Sequence, residues 1–223
     1  AQKGTENVPS STKRFTEQLL PKLRGKASFL LVELMMPNDK CKKETKQVKK
    51  RQEPVTKPQA ETNQNEYVVL GSKAKGIGIV PDLLRPSCDD LTKITQAGAE
   101  DIGVMLETIA RLTTTVVESE LDRNQKAGKD AMVVAYGGAL HNDLEPKESA
   151  KKWSYGPALA QYTKHRYVEL DLIVPEYIKD TESWTSLPWY SHYDREKQGD
   201  KTVLFNPKPG SWVLIFPRTP SAD

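Results

Sequence analysis

Apolar positions along the chain fall into alternating helix-like and strand-like runs. Phe15, Leu19, Leu20 and Leu23 recur at helical spacing over 12–23, with Ser10 or Ser11 as N-cap and Arg24-Gly25-Lys26 as the stop. Residues 28–36 are almost unbroken, with Phe29, Leu30, Leu31, Val32, Leu34 and Met35, as in a parallel strand buried on both faces. Glu33 interrupts this run. An ionised carboxylate is costly to bury alone, so Glu33 must either emerge at the strand end or meet a partner.

From Pro37 to Asn65 the composition turns to Lys, Gln, Glu, Thr and Asn, which predicts a polar helical excursion at about residues 37–66. It is either a helix packed by few residues or a lid. A helix follows over 61–75 with Tyr67, Val68 and Leu70 inward, then Gly76, then a second strand over 77–84 and the run Pro86-Ser87-Cys88-Asp89-Asp90. The clearest amphipathic helix spans 100–124, with Ile102, Met105, Leu106, Ile109, Leu112, Val116 and Val117 at three- and four-residue spacing. A third strand at 132–136 enters Gly137-Gly138; a short helix (157–165) and a fourth strand (166–174) come next. Residues 202–206 and 211–216 flank Pro207-Lys208-Pro209-Gly210, which is hairpin chemistry.

The strand, helix, strand order predicts an α/β fold: a mainly parallel sheet with helices on both faces and a C-terminal antiparallel hairpin. With 223 residues, one domain over 1–223 is the default expectation.

Charge and composition narrow the function classes. Thirty-three basic and 30 acidic side chains leave a net charge of +3, too balanced to argue for a nucleic-acid partner. The local exception is Lys40 to Arg51, with Lys40, Lys42, Lys43, Lys46, Lys49, Lys50 and Arg51: either a solvated helix face or a surface for an anionic partner. No apolar run reaches the roughly 20 residues of a membrane span. The chain starts at Ala1 without an initiator methionine or apolar leader, so an upstream stretch removed by processing, and a lipid anchor there, stay open. Cys41 and Cys88 form no Cys-x-x-Cys unit; they are either free thiols or one disulfide closing a loop of about 48 residues.

Candidate chemistry centres on Ala135-Tyr136-Gly137-Gly138-Ala139-Leu140-His141-Asn142-Asp143, where two glycines and then polar groups follow a buried strand. Ligands of open α/β sheets bind at the carboxyl ends of strands. His141 suits a general base or a metal or haem ligand at neutral pH, or else caps a local polar network. Glu33 and Asp89, with Asp90, would end on the same sheet edge and fix the tautomer of His141 or join it around a divalent metal, although Asp89 and Asp90 equally suit helix N-caps. Asn63, Gln64 and Asn65 rank below these, and His165 and His192 lack a comparable frame of carboxylate and glycine. Twelve of the sixteen aromatic residues lie from Trp153 onward, as either a wall for a flat ligand such as a porphyrin or packing under the C-terminal connection. No Gly-x-Ser-x-Gly elbow, phosphate loop or dinucleotide fingerprint is present.

Three segments carry a resemblance: Gly4-Thr5-Glu6-Asn7 with the helix from Thr12, Leu31-Val32-Glu33-Leu34-Met35, and Gly138-Ala139-Leu140-His141 with Gly156-Pro157-Ala158-Leu159. Together the pattern resembles the superfamily of ChaN-type haem-binding lipoproteins, Tiki and TraB proteins and erythromycin esterases. Asn7 stands where that superfamily has its first histidine, which weakens any implied metal or haem ligation. The resemblance implies export to the periplasm, surface or medium.

The leading expectation is an exported hydrolase-like protein acting on a small molecule, with His141, Glu33 and Asp89 as the catalytic set. Tyr136, Gly137, Gly138 and Asn142 would line the ligand site, and His141, Glu33 and Asp143 would hold a divalent metal if one is used. The alternatives are a haem or iron-compound binder without turnover, with His141 or Tyr136 on the iron, and an inactive domain that binds a partner through the basic segment.

Overall fold

A computed structural model describes residues 8–56 and 60–220, with the side chains of 51–64 outside the described set. The motif at Gly4 to Asn7 and the side chains of Asn63 and Gln64 lie outside the described residues.

The first helix opens as α1 (Ser11–Arg14), capped by the Ser10 hydroxyl on the Lys13 N–H, and continues through a π turn (Phe15–Leu19) and a 3₁₀ turn (Leu20–Leu23). Gly25, at φ +71°, then turns the chain into β1 (Ala27–Met35). β1 alternates as a two-faced buried strand requires. Leu30 and Val32 pack with Phe15, Leu20, Leu70 and Ala74 on one face, and Phe29 and Leu31 with Ile109, Val117 and Leu159 on the other.

β1 is central. β2 (Val80–Leu84) and β3 (Met132–Tyr136) flank it in the order β2-β1-β3, both parallel to it. α2 (Lys42–Thr56) and α3 (Ala60–Gly76) connect β1 to β2, and α4 (Cys88–Gln96) and α5 (Asp101–Lys126) connect β2 to β3. α3 covers one face and α5, with α6 (Gly156–Tyr162), covers the other. The path from β1 thus leaves toward one face and the path from β3 toward the opposite one. The gap between their carboxyl ends is a topological switch point, where open α/β sheets form crevices.

The C-terminal hairpin forms, and it does so in a second sheet. β4 (Glu169–Ile173) pairs parallel with β6 (Ser211–Ile215), and β5 (Val203–Lys208) pairs antiparallel with β6 around Gly210 at φ +79°. α7 (Glu182–Thr185) and α8 (Arg195–Gln198) lie in the long β4 to β5 connection. Val213 and Ile215 pack on Ile178 and Trp189, while Leu214 packs with Val174 and Phe216. Five of the twelve late aromatics gather here: Trp184, Tyr190, Tyr193 and Phe205 surround Trp189, so packing accounts for these five.

Three local expectations change. Val68 is 70% exposed, because Tyr67, Leu70 and Ala74 take the inward positions of α3 at three- and four-residue steps. Ile102 is exposed, and the inward stripe of α5 begins at Val104 and Met105. β3 is only half-buried because, among the described residues, it is an edge strand with a single neighbour.

The polar excursion is helical: α2 and the first turns of α3. Cys41 and Val48 hold α2 against Leu91 and Ile94 of α4, and Cys41 and Cys88 form a disulfide with Cα atoms 5.6 Å apart. The bridged cysteines are 47 positions apart, so closing the loop restricts the unfolded chain. The double variant Cys41→Ser/Cys88→Ser is expected to lose about 3–4 kcal/mol of stability. Urea unfolding followed by circular dichroism measures this; an unchanged midpoint would show that the bridge does not restrain the unfolded chain.

Candidate functional site

Glu33 and His141 meet at the switch point. Glu33 stands two residues before the end of β1, beside a register break between Val32 and Met35 in the pairing with β2. His141 lies five residues beyond the end of β3. Its Nε2 is 3.4 Å from Glu33 Oε1, an ion-pair distance. The other carboxylate oxygen, Oε2, accepts the Gly138 N–H at 2.9 Å.

The glycines are there for fit. A Cβ on Gly137 would fall 2.6 Å from the Glu33 Cβ, inside that side chain, so only glycine allows the two segments to approach. At Gly138 the nearest atoms would be 3.8 Å away, an ordinary contact.

A strap from residues 153–156 holds the histidine. His141 Nδ1 lies 2.5 Å from the Trp153 carbonyl oxygen, which can only accept, so Nδ1 carries a proton. The His141 carbonyl accepts from the Tyr155 N–H at 2.9 Å and from the Ser154 hydroxyl, which also reaches the Asp143 carbonyl at 2.7 Å. Gly156 is required as well: a Cβ there would fall 2.7 Å from the Asn142 carbonyl oxygen. Trp153, Ser154 and Tyr155 had no signal in the sequence beyond the adjacent Gly156-Pro157.

With Nδ1 protonated, the state of the pair follows. Nε2 and Oε1 face each other, and two bare lone pairs at this distance would repel. One proton therefore belongs between them, on the carboxyl or on the ring. Burial pushes the Glu33 carboxyl above its ordinary value, while the charge of His141 and the Gly138 N–H pull it back without cancelling the rise. Exposure assigns the roles. The His141 side chain is 3% exposed and that of Glu33 18%, so the carboxyl is the member that reaches solvent and the ring stands behind it.

The remaining candidates go elsewhere. Asp89 is exposed in the first turn of α4, while its neighbour Asp90 completes a capping box with Ser87 and pairs with Arg111 at 2.5 Å. Asp89 thus acts at a helix start and does not meet the pair. Tyr136 points to the opposite face of the sheet, because alternation sets it beside Val32; it stacks on Phe15 and donates to Thr12 at 3.1 Å. It does not line a ligand site with His141. Asp143 accepts the Glu145 N–H at 3.0 Å within its own turn, so the expected metal set of His141, Glu33 and Asp143 does not assemble. Among the described residues no cluster of three His, Cys, Asp or Glu side chains is arranged to hold a metal. His141 also lines neither described cavity, including the larger of about 370 Å³ between Glu107, Arg111 and Lys152.

Asn142 joins the site to the second sheet. Its amide donates to Asp171 at 3.2 Å, its carbonyl accepts from the Tyr167 hydroxyl at 2.8 Å, and its Oδ1 is buried without a partner among the described residues. Glu169 accepts from the Leu144 N–H at 2.8 Å and the Ser211 hydroxyl at 3.1 Å. Burial raises the carboxyls of both Glu169 and Asp171.

No family model, curated protein or solved structure matches the chain.

Two consequences are measurable. Gly137→Ala is expected to cost about 1–3 kcal/mol by overpacking, with Gly138→Ala much milder; thermal melts that rank them the other way would refute the close approach. A carboxyl whose folded pKa lies above its unfolded one contributes stability present at low pH and lost as pH rises through the folded value. Glu33→Gln is therefore expected to unfold at higher temperature than wild type at neutral pH, with the gap closing as pH falls below the ordinary carboxyl value of 4.5. A gap that widens on acidification would reverse the assignment.

Proposed function

We propose that the chain is an exported, hydrolase-like protein that acts on a small polar molecule by general acid–base catalysis. Glu33 moves the proton and His141 positions it. The observation that carries this reading is the Glu33–His141 contact of 3.4 Å at a strand-end switch point, with the carboxyl toward solvent and its affinity for a proton raised by burial. As carboxylate, Glu33 takes a proton from water attacking the bound substrate; as acid, it returns that proton to the leaving group. The ring behind it, fixed by the Trp153 carbonyl, keeps the transferred proton within the pair.

Further support comes from outside the pair. The strand-end elements that contain Glu33 and His141 are two of the three segments that resemble the superfamily of ChaN-type, Tiki and TraB proteins and erythromycin esterases. The Cys41–Cys88 bridge suits an oxidising compartment, and among the described residues no helix is long and apolar enough to cross a membrane. The haem alternative draws no support from the geometry, since Tyr136 is engaged with Thr12 and His141 with Trp153 and Glu33. Among the described residues the set does not fit a metal either, because only the two side chains of Glu33 and His141 converge.

The test is a panel of chromogenic esters, amides and phosphoesters, assayed with wild type, Glu33→Gln and His141→Gln. Wild-type turnover of one class is expected, with kcat reduced at least about a hundredfold by Glu33→Gln. His141→Gln is expected to shift the pH profile while sparing KM. Turnover that survives Glu33→Gln, or no turnover by folded wild type on any class, would overturn the reading, the latter in favour of a non-catalytic domain.

A further inference from the structure

Over residues 42–50, α2 carries its lysines on one side. At about 100° per residue, Cys41 and Val48 point within about 20° of each other, and both are buried against Leu91 and Ile94. Lys42, Lys43, Lys46, Lys49 and Lys50 fall within an arc of about 120° on the opposite side. All five are exposed, and none is in an ion pair among the described residues. Glu44, the acid within 42–50, lies outside the arc and is half-buried.

This face is held in place. The Cys41–Cys88 bridge ties the start of the helix to α4, Asn38 donates to the Pro86 carbonyl at 3.1 Å, and Thr45 donates back to the Asn38 carbonyl at 3.2 Å. Five like charges on a fixed helix repel one another unless a counter-surface neutralises them. Reading bases requires aromatic stacking or bidentate arginine, and the basic run of residues 40–51 contains no aromatic and one arginine, Arg51, whose helical position falls outside the lysine arc. Lysines act as point charges, which is what a layer of anionic headgroups requires. The chain as a whole, at a net charge of +3, adds no strong opposing field.

We propose that the α2 lysine face docks the protein on an anionic phospholipid surface. Contact is peripheral and electrostatic. Val48 of α2, with Cys41 just before the helix, faces α4, so the described part of the helix adsorbs to headgroups without inserting, and binding weakens as salt shortens the screening length. Each lysine near such a surface contributes about fivefold in affinity.

The experiment is co-sedimentation of the whole chain with vesicles of phosphatidylcholine alone or with about a third phosphatidylglycerol. It compares wild type, Lys42→Glu/Lys46→Glu/Lys49→Glu, and a control of equal charge, Lys22→Glu/Lys126→Glu/Lys201→Glu, whose three positions are exposed elsewhere. Wild type is expected to pellet with the anionic vesicles only and to be released as salt approaches about 0.5 M. The α2 variant is expected to bind at least about a hundredfold more weakly while the control keeps most of the affinity. Equal losses in the two variants, or no anionic-vesicle binding at low salt, would overturn the proposal. Tighter binding of wild type to a single-stranded oligonucleotide than to the vesicles would assign the face to nucleic acid and overturn it as well.

Discussion

The structure depends on the accommodation of one carboxyl at the end of its central strand. β1 is buried on both faces, and its carboxyl end carries Glu33. A charge there is tolerable only if solvent, a hydrogen bond donor and a counter-charge reach it together. The Gly138 N–H supplies the donor, His141 the charge, and incomplete burial the solvent. Each of these imposes a demand on the loop after β3. Gly137 must lack a side chain, Gly138 must present its N–H, and His141 must fold back under the loop.

That fold-back is what recruits the rest of the site. A buried ring needs its other nitrogen satisfied, and the Trp153 carbonyl does so. The loop carrying His141 is then closed from behind by Ser154, Tyr155 and Gly156, which brings α6 onto the face formed by Phe29 and Leu31. Asn142, next to the ring, reaches Asp171 and Tyr167 and so couples the site to the second sheet. A single electrostatic requirement on β1 therefore organises the β3 to α6 connection and its junction with β4.

A second anchor operates at the far end of the chain. Arg14 is 4% exposed and donates to the carbonyls of Pro9 and Pro217, to Glu176 and to Thr219, with its guanidinium 5.7 Å above the Phe216 ring. This buried guanidinium is tolerable for the same reason that Glu33 is: its polar atoms meet partners of the opposite kind. Nothing in the hydrophobic pattern marks Arg14, because Glu176, Pro217 and Thr219 come from more than 160 positions away in the sequence.

Rules that act along the chain were enough for the class of fold, the two-faced character of β1, the helical excursion, the C-terminal hairpin and the placing of Glu33 and the loop of Gly137, Gly138 and His141 at one sheet edge. Side-chain period, turn residues and the cost of a charge in an apolar run are all local, and the amino-acid order displays them directly. Which of the polar candidates meet is a different kind of question, answered by the folded chain alone. Asp89, Asp143 and Tyr136 have suitable chemistry and strand-end positions, yet a capping turn, a tight loop and the alternation of a strand turn each of them elsewhere. The folded chain likewise chose the disulfide over two thiols, placed the hairpin in a second sheet with β4, and put His141 behind Glu33. Those outcomes depend on contacts between residues distant along the chain, and periodicity carries no information about them.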